Sequence, residues 1–280
     1  MRLLSFGILL GLLVAGSVEA QGRHGGGSAQ TPSRPTVDRA VVDAAIQGLT
    51  APDLPTVLES IGKLAENPDP RAVQPLIQLL RQGPPDDVTH GAIQALGAIS
   101  DPEAVDVLIE YMRHRRARVR RLAVQSIAQI RDARVADKVN EALRSALRDS
   151  NDRVRGAAAT AIGEHGDRGA MDLLFLAFER NVPEAAVSIG KLGGAAEAER
   201  LGGFLGQRQL SEILPGFDEF LRRSDFGEDA KVNIIHKLEE IAGPDVKRFL
   251  TNLLASPPPG LSQKVKDEAQ RVIRIIPDEI

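Results

Sequence analysis

The sequence predicts an all-α chain built as about seven stacked helical hairpins, and three observations predict it. An apolar template recurs along the 280 residues at offsets 0, 4, 8 and 11, with small or apolar residues at 3 and 7. That spacing puts every such position on one face of a helix. Each template helix is preceded by a second amphipathic stretch, so the helices come in pairs. The composition agrees: 42% of residues are hydrophobic but only 3% aromatic, so Ala, Val, Ile and Leu supply nearly all the apolar surface and suit closely packed helices.

Taken in order, residues 1–20 carry one Arg, an apolar run from Leu3 to Val14 and small residues ending Val-Glu-Ala. This is the layout of a secretory signal peptide, with cleavage expected after Ala20. The apolar run is shorter than the ~20 residues a membrane span needs, and Gly7, Gly11 and Gly16 weaken it further. No integral membrane segment is therefore expected after cleavage, and the protein is expected to be exported, to the periplasm or beyond. Residues 21–35 are rich in Gly, Ser, Pro and Gln and read as a flexible tether, in which His24 is a solvated linker residue. The folded part begins near Thr36. Regular repeats are expected over 36–193, and divergent repeats with a closing cap over 194–280.

The template is clearest in three segments. It holds Val88, Gly91, Ala92, Ala95, Leu96 and Ile99 in the first, and Val119, Leu122, Ala123, Ser126, Ile127 and Ile130 in the second. The third holds Val154, Ala157, Ala158, Ala161, Ile162 and His165, and the starts lie 31 and 35 residues apart. Upstream, Val57, Ile61 and Leu64 fall in register, with Gly62 matching Gly97. Downstream, Ala230, Ile234, Leu238 and Ile241 fit, as do Val265, Ala269, Val272, Ile273 and Ile276. Two preceding helices open on Asp69-Pro70 and Asp101-Pro102. Asp can cap free N–H groups there, and Pro supplies a preset φ and needs no N–H partner. A hairpin of this kind buries its apolar stripe only against its neighbours, so the stack forms one continuous core.

Asp101 to Ile109, Arg118 to Ile130 and Arg153 to Gly163 together resemble HEAT repeats, specifically the short variety named after phycobilisome lyases. The resemblance is carried by residues 69–166, extends over 50–193 and is only periodic beyond. It implies a right-handed α-solenoid, a HEAT-like superhelix, whose second helices line the concave face. It also implies a ladder of Asp and Arg between successive repeats, for which Asp149 or Asp152 with Arg155 are the candidates. The register slips after Gly193, and seven of the eight Phe residues lie from Phe175 onward. They are expected to fill gaps between irregular repeats, the rival reading being a distinct binding surface.

The chemistry-bearing residues exclude more than they suggest. No Cys is present, which removes disulfides, thiolate metal sites and cysteine nucleophiles. A net charge of −3 does not imply general affinity for nucleic acid. Ser60-Ile-Gly-Lys63 and Ser188-Ile-Gly-Lys191 match the S-x-x-K of acyl-transfer enzymes, but no K-T-G or S-D-N accompanies them and both copies sit at one repeat position. His24, His90, His114, His165 and His236 make no H-E-x-x-H, and none is followed by Glu. HEAT-repeat hydroxylases of the deoxyhypusine class bind iron through His-Glu pairs, which this chain lacks. No metal or cofactor is expected.

One charge feature stands out, the run Arg113, His114, Arg115, Arg116, Arg118, Arg120 and Arg121. Arg118 and Arg120 recur as Arg153 and Arg155, so Arg120 and Arg155 read as structural. Arg113, Arg115, Arg116 and Arg121 have no repeat counterpart, which points to an acidic partner. The expected function is a non-catalytic scaffold or adaptor of the cell envelope. It would bind a protein or peptide on the concave face through Arg115, Arg116, Arg118, Arg121 and Gln125. The alternative is an enzyme, lyase-like or related to the oxidoreductases on this scaffold, with a polar pocket in residues 194–243.

Overall fold

The computed structural model describes residues 38–277. The expected leader and tether, residues 1–20 and 21–35, lie outside the described residues. Among the described residues, fifteen α-helices follow one another with no strand. The first ten form five antiparallel hairpins: α1 (Arg39–Gly48) with α2 (Leu54–Glu66), α3 (Val73–Arg81) with α4 (Asp86–Ile99), α5 (Val105–Tyr111) with α6 (Ala117–Ile127), α7 (Ala136–Ala146) with α8 (Asp152–His165), and α9 (Met171–Glu179) with α10 (Glu184–Leu192). There follow α11 (Ala195–Gly202), α12 (Leu210–Arg222), α13 (Glu228–Ile241), α14 (Pro244–Ala255) and α15 (Gln263–Ile275). The expected all-α architecture of stacked hairpins is the one observed.

Helix starts follow from local chemistry. The carboxylates of Asp53, Asp69 and Asp101 accept from the N–H groups of Thr56, Arg71 and Glu103, each at 2.9 Å, and the amide of Asn151 accepts from Arg153 N–H at 3.1 Å. After Asp69 and Asp101, the Pro opens one 3-10 turn, 70–72 and 102–104, before the α-helix begins. At the other end of α4, Ser100 takes φ 58 and its hydroxyl donates to Gln129 O of the next repeat at 2.7 Å. A left-handed residue that stops one helix thereby ties it to the following one.

Packing follows the template. The second helices α2, α4, α6, α8, α10 and α12 stack in one row, each on its neighbour. Val88, Ala92, Leu96, Val119, Ala123, Ile127, Val154, Ala158 and Ile162 are buried to within 2% exposure, in one core that runs from Val42 to Ile276. Small residues set the spacing within the row. A Cβ on Gly97 would meet Ser126, and one on Gly163 would lie 2.4 Å from Ser188 Oγ. Both glycines hold template offset 9 and both serines offset 7 of the next repeat. Gly62, at offset 9 in α2, faces open space.

Beyond α12 close stacking passes to the other set of helices. Gly193 and Gly194 alone connect α10 to α11. From there α11, α13 and α15 stack on one another, so the template helices α13 and α15 lie in a row begun by α11. Arg223 fixes this junction by donating to Gly190 O at 2.9 Å and Gly193 O at 2.6 Å. Lys231 Nζ in turn donates to Arg223 O at 2.6 Å, and burial pushes the pKa of that amine down. The Phe side chains complete the core here: Phe175, Phe178, Phe217 and Phe220 are fully buried and Phe226 nearly so. Phe204 and Phe249 are partly buried against the same core.

Candidate functional site

The face of the second helices left free by stacking forms a groove of about 680 Å³ that runs from Ala65 at the end of α2 across α4, α6 and α8. Its floor includes Leu122 and Ala157, and its exposed polar groups are Gln94, Gln125, Gln129, Arg131, Thr160 and Glu164. Helical geometry explains the set. Gln94, Gln125 and Thr160 hold the same template offset, 6, in three successive repeats, and Gln129 and Glu164 lie one turn further on. The C-terminal end of the groove is braced between repeats. Arg131 Nη1 donates to Glu164 O at 2.5 Å, and His165 Nε2 donates to Ala128 O at 2.8 Å. Burial lowers the His165 pKa, so the ring is neutral near pH 7.

The five predicted contact residues do not form one cluster. Gln125 lines the groove, and Arg118, exposed in the first turn of α6, lies two turns before it on the same helix face. Arg121 is partly buried on the flank of that face. Arg115 and Arg116 lie elsewhere, in the turn between α5 and α6. Arg116 is in an ion pair with Asp86, and Arg115 borders a cleft with Tyr111 and His114 at the edge of the stack. The helix begins only at Ala117, so residues before it cannot share the face that its periodicity defines. Gln94, Gln129 and Thr160 escaped the sequence reading. The recurrence of Gln94 and Thr160 at the template offset of Gln125 is the signal for two of them, and Gln129 shares its offset with Glu164.

The inter-repeat ladder also differs from the expected pairing. Asp149 pairs with Arg120 of the preceding repeat, through Nε and Nη2 at 2.7 Å each, and not with Arg155. Arg155 Nη1 instead donates to the carbonyl oxygens of Asp149 and Ser150, as Arg120 Nη1 does to His114 and Arg115. Burial opposes the charge on Asp149, but the Arg120 hydrogen bonds, the Asn151 N–H and both arginine charges hold its pKa below the ordinary value. Arg113 proves to have repeat counterparts after all. Arg81, Arg148 and Arg180 end the first helices of three other repeats, as Arg113 does in its own.

The S-x-x-K serines are structural in their contacts. Ser188, 1% exposed, donates to Ala159 O at 2.7 Å, and Ser60 donates to Thr56 O at 2.8 Å. Lys63 is paired with Glu59. Among the described residues no group of three or more His, Asp or Glu is arranged so that it could hold a metal ion, and no helix is long and apolar enough to cross a membrane. Between α11 and α13, where the enzyme alternative places its pocket, the cleft that includes Asn233 and Lys237 measures about 30 Å³.

The family profile for HEAT repeats matches residues 73–146. Comparison with curated proteins gives no match. Among solved structures, the CpcE–CpcF complex of phycocyanin lyase from Nostoc sp. PCC7120 is similar at 17% identity, over 89% of this chain and 98% of that one, with a TM-score of 0.48. Human deoxyhypusine hydroxylase is similar at 19% identity, over 83% and 94%, with a TM-score of 0.38. A designed armadillo repeat protein in complex with the peptide (KR)4 is similar at 17% identity, over 83% and 98%, with a TM-score of 0.40. Residues 73–146 match the HEAT-repeat profile, and stacked helical hairpins continue on both sides of them.

Proposed function

We propose that this protein is a non-catalytic scaffold of the cell envelope that holds a protein or peptide in the groove of its second helices. The observation that carries the reading is the groove itself, about 680 Å³ and open across four repeats. Its exposed amides and hydroxyl recur once per repeat at Gln94, Gln125 and Thr160. Side-chain amides both donate and accept, which suits the alternating N–H and C=O groups of an extended polypeptide. Arg118 and Arg121, near the start of α6, add positive charge that favours an acidic segment at that end. Export rests on the leader pattern of residues 1–20.

The test uses the full chain carrying a photo-crosslinking residue at Gln125 or Gln129 in its native envelope, with Glu141 on α7 as the control position. Crosslinks to a polypeptide from both groove positions and not from the control support the reading. Loss of those crosslinks on Arg118→Glu with Arg121→Glu supports the basic end of the groove as a contact. Equal crosslinking from all three positions, or none from the groove, overturns it.

A further inference from the structure

The first helices end on a row of cations. Arg81, Arg113, Arg148 and Arg180 close the first helices of four successive repeats, at intervals of 32, 35 and 32 residues. All four are exposed, and among the described residues none of their guanidinium groups makes a hydrogen bond or an ion pair. A cation at a helix C-terminus gains from the helix dipole, about 0.3–1 kcal/mol, but the dipole does not explain why no acid answers it.

Elsewhere in the stack acids do answer. Toward the other ends of the first helices, four junctions between repeats carry a polar pair: Asp43 with Arg71, Glu103 with Gln74 at 2.8 Å, Asp106 with Lys138, and Asp172 with Arg200 at 3.1 Å. Arg144, in the last turn of α7, is answered as well, by Asp167 of the next repeat at 2.5 Å, so the cations left open are the four at the helix ends.

The floor between the cations is apolar. Arg148 and Arg180 flank a cleft of about 340 Å³ floored by Leu147, Leu173, Leu176 and Ala177. One repeat earlier, Arg113 borders a smaller cleft of about 110 Å³ with Ile109, Met112 and Ala142. Asp149, which borders both clefts, is already held by Arg120. Packed helices lie about 8–10 Å apart, and an extended chain in the polyproline II form advances about 3.1 Å per residue with three residues per turn, so every third side chain lies on one face. One repeat therefore spans about three residues of extended polypeptide.

We propose that this edge is a second interaction surface, distinct from the groove. It takes an acidic, apolar-interleaved polypeptide segment with a carboxylate at every third residue. The carboxylates pair with Arg113, Arg148 and Arg180, and apolar side chains enter the clefts between them. The apolar floor is what separates this ligand from a uniform polyanion, which would leave the clefts empty.

The probe is a fluorescein-labelled peptide of four Glu-Leu-Ser repeats, titrated with the purified full chain by fluorescence anisotropy at low and high salt. Expected is salt-sensitive binding that falls about tenfold or more in the Arg113→Gln/Arg148→Gln/Arg180→Gln variant. It should be unchanged in Arg118→Glu/Arg121→Glu, which separates this surface from the groove. Unchanged helical circular dichroism shows that each variant folds. A peptide with Leu replaced by Ser should bind more weakly. If that peptide or polyphosphate binds as tightly, the surface is a general polyanion site and the proposal falls. Equal binding by wild type and the triple variant, or no binding to wild type, also overturns it.

Discussion

A Cβ built on Gly190 would lie 2.3 Å from the carbonyl oxygen of Gly216, so α10 and α12 meet backbone to backbone. The relation is reciprocal, since a Cβ on Gly216 would lie 2.5 Å from Ala186 O. Carbonyl oxygens of a packed helix cannot rotate away as a side chain can. Gly216→Ala should therefore destabilise the chain by about 1–3 kcal/mol, a drop in Tm of about 2–4 °C per kcal/mol. Gly62→Ala is the internal contrast. It is also mid-helix but faces open space, so relief of the glycine penalty should raise stability by about 0.5–1 kcal/mol. Thermal melts followed by circular dichroism decide both; a Gly216→Ala protein melting with the wild type would mean the helices are not in such contact.

Arg120 and Asp149 form the most enclosed ion pair of the regular repeats, with 14% and 11% side-chain exposure. Removing one partner strands the other, so Arg120→Met should cost about 3 kcal/mol. Arg120→Met with Asp149→Leu should recover much of that, because no charge is then left buried. The pH dependence follows from the direction of the shift. Asp149 is held below its ordinary pKa, so its stabilisation is complete above about pH 4 and is lost as pH falls through the folded-state value. Urea titrations at pH 7 and pH 2.5 should show the gap between wild type and Arg120→Met narrowing at the lower pH.

His165 makes stability depend on pH in a higher range. Its pKa is lowered first by burial, while the hydrogen bond to Ala128 O opposes the shift; Arg131 lowers it and Glu164 and Asp167 raise it. In the unfolded chain the ring takes up a proton near pH 6.5. The contribution of the neutral ring is therefore fully present above that pH and is lost as pH falls toward the folded-state value. Tm should decline between pH 7 and 5, and His165→Gln should flatten that part of the curve. His90 is also lowered, so the difference between the two proteins carries the result, not the wild-type curve alone.

The stack was legible because apolar residues on a helix face recur with a period the sequence displays, as Val88, Ala92 and Leu96 do. Even the change in stacking left a trace, since α13 and α15 keep the template while α11 and α12 do not. The groove was less legible. Gln94, Gln125 and Thr160 are polar residues on helices, and polarity alone does not distinguish a groove from a solvated face; only stacking turns the shared offset into a shared surface. The basic run misled for a related reason. Arg115 and Arg116 are neighbours of Arg118 in sequence, but the turn that ends at Ala117 sends them to the edge of the stack. Arg113 belonged to a row whose other members lie 32 and 35 residues away, which proximity in sequence hides.

Ser188 is the residue for which sequence and structure suggest the most different chemistry, and it gives a direct test. A serine three residues before a lysine invites the idea of a nucleophile. In the fold, however, its hydroxyl donates to Ala159 O at 2.7 Å, is 1% exposed and fills the notch left by Gly163. Ser188→Ala removes one hydrogen bond and strands no donor, so it should cost about 1 kcal/mol. Ser188→Val adds bulk where Gly163 allows none and should cost about 1–3 kcal/mol. A fluorophosphonate probe applied to the folded chain should leave Ser188 and Ser60 unlabelled by peptide mass spectrometry, because attack needs a free, accessible Oγ beside a base. Labelling at Ser188 under native conditions would show that the α8–α10 contact opens, and Ser188→Val would then be tolerated.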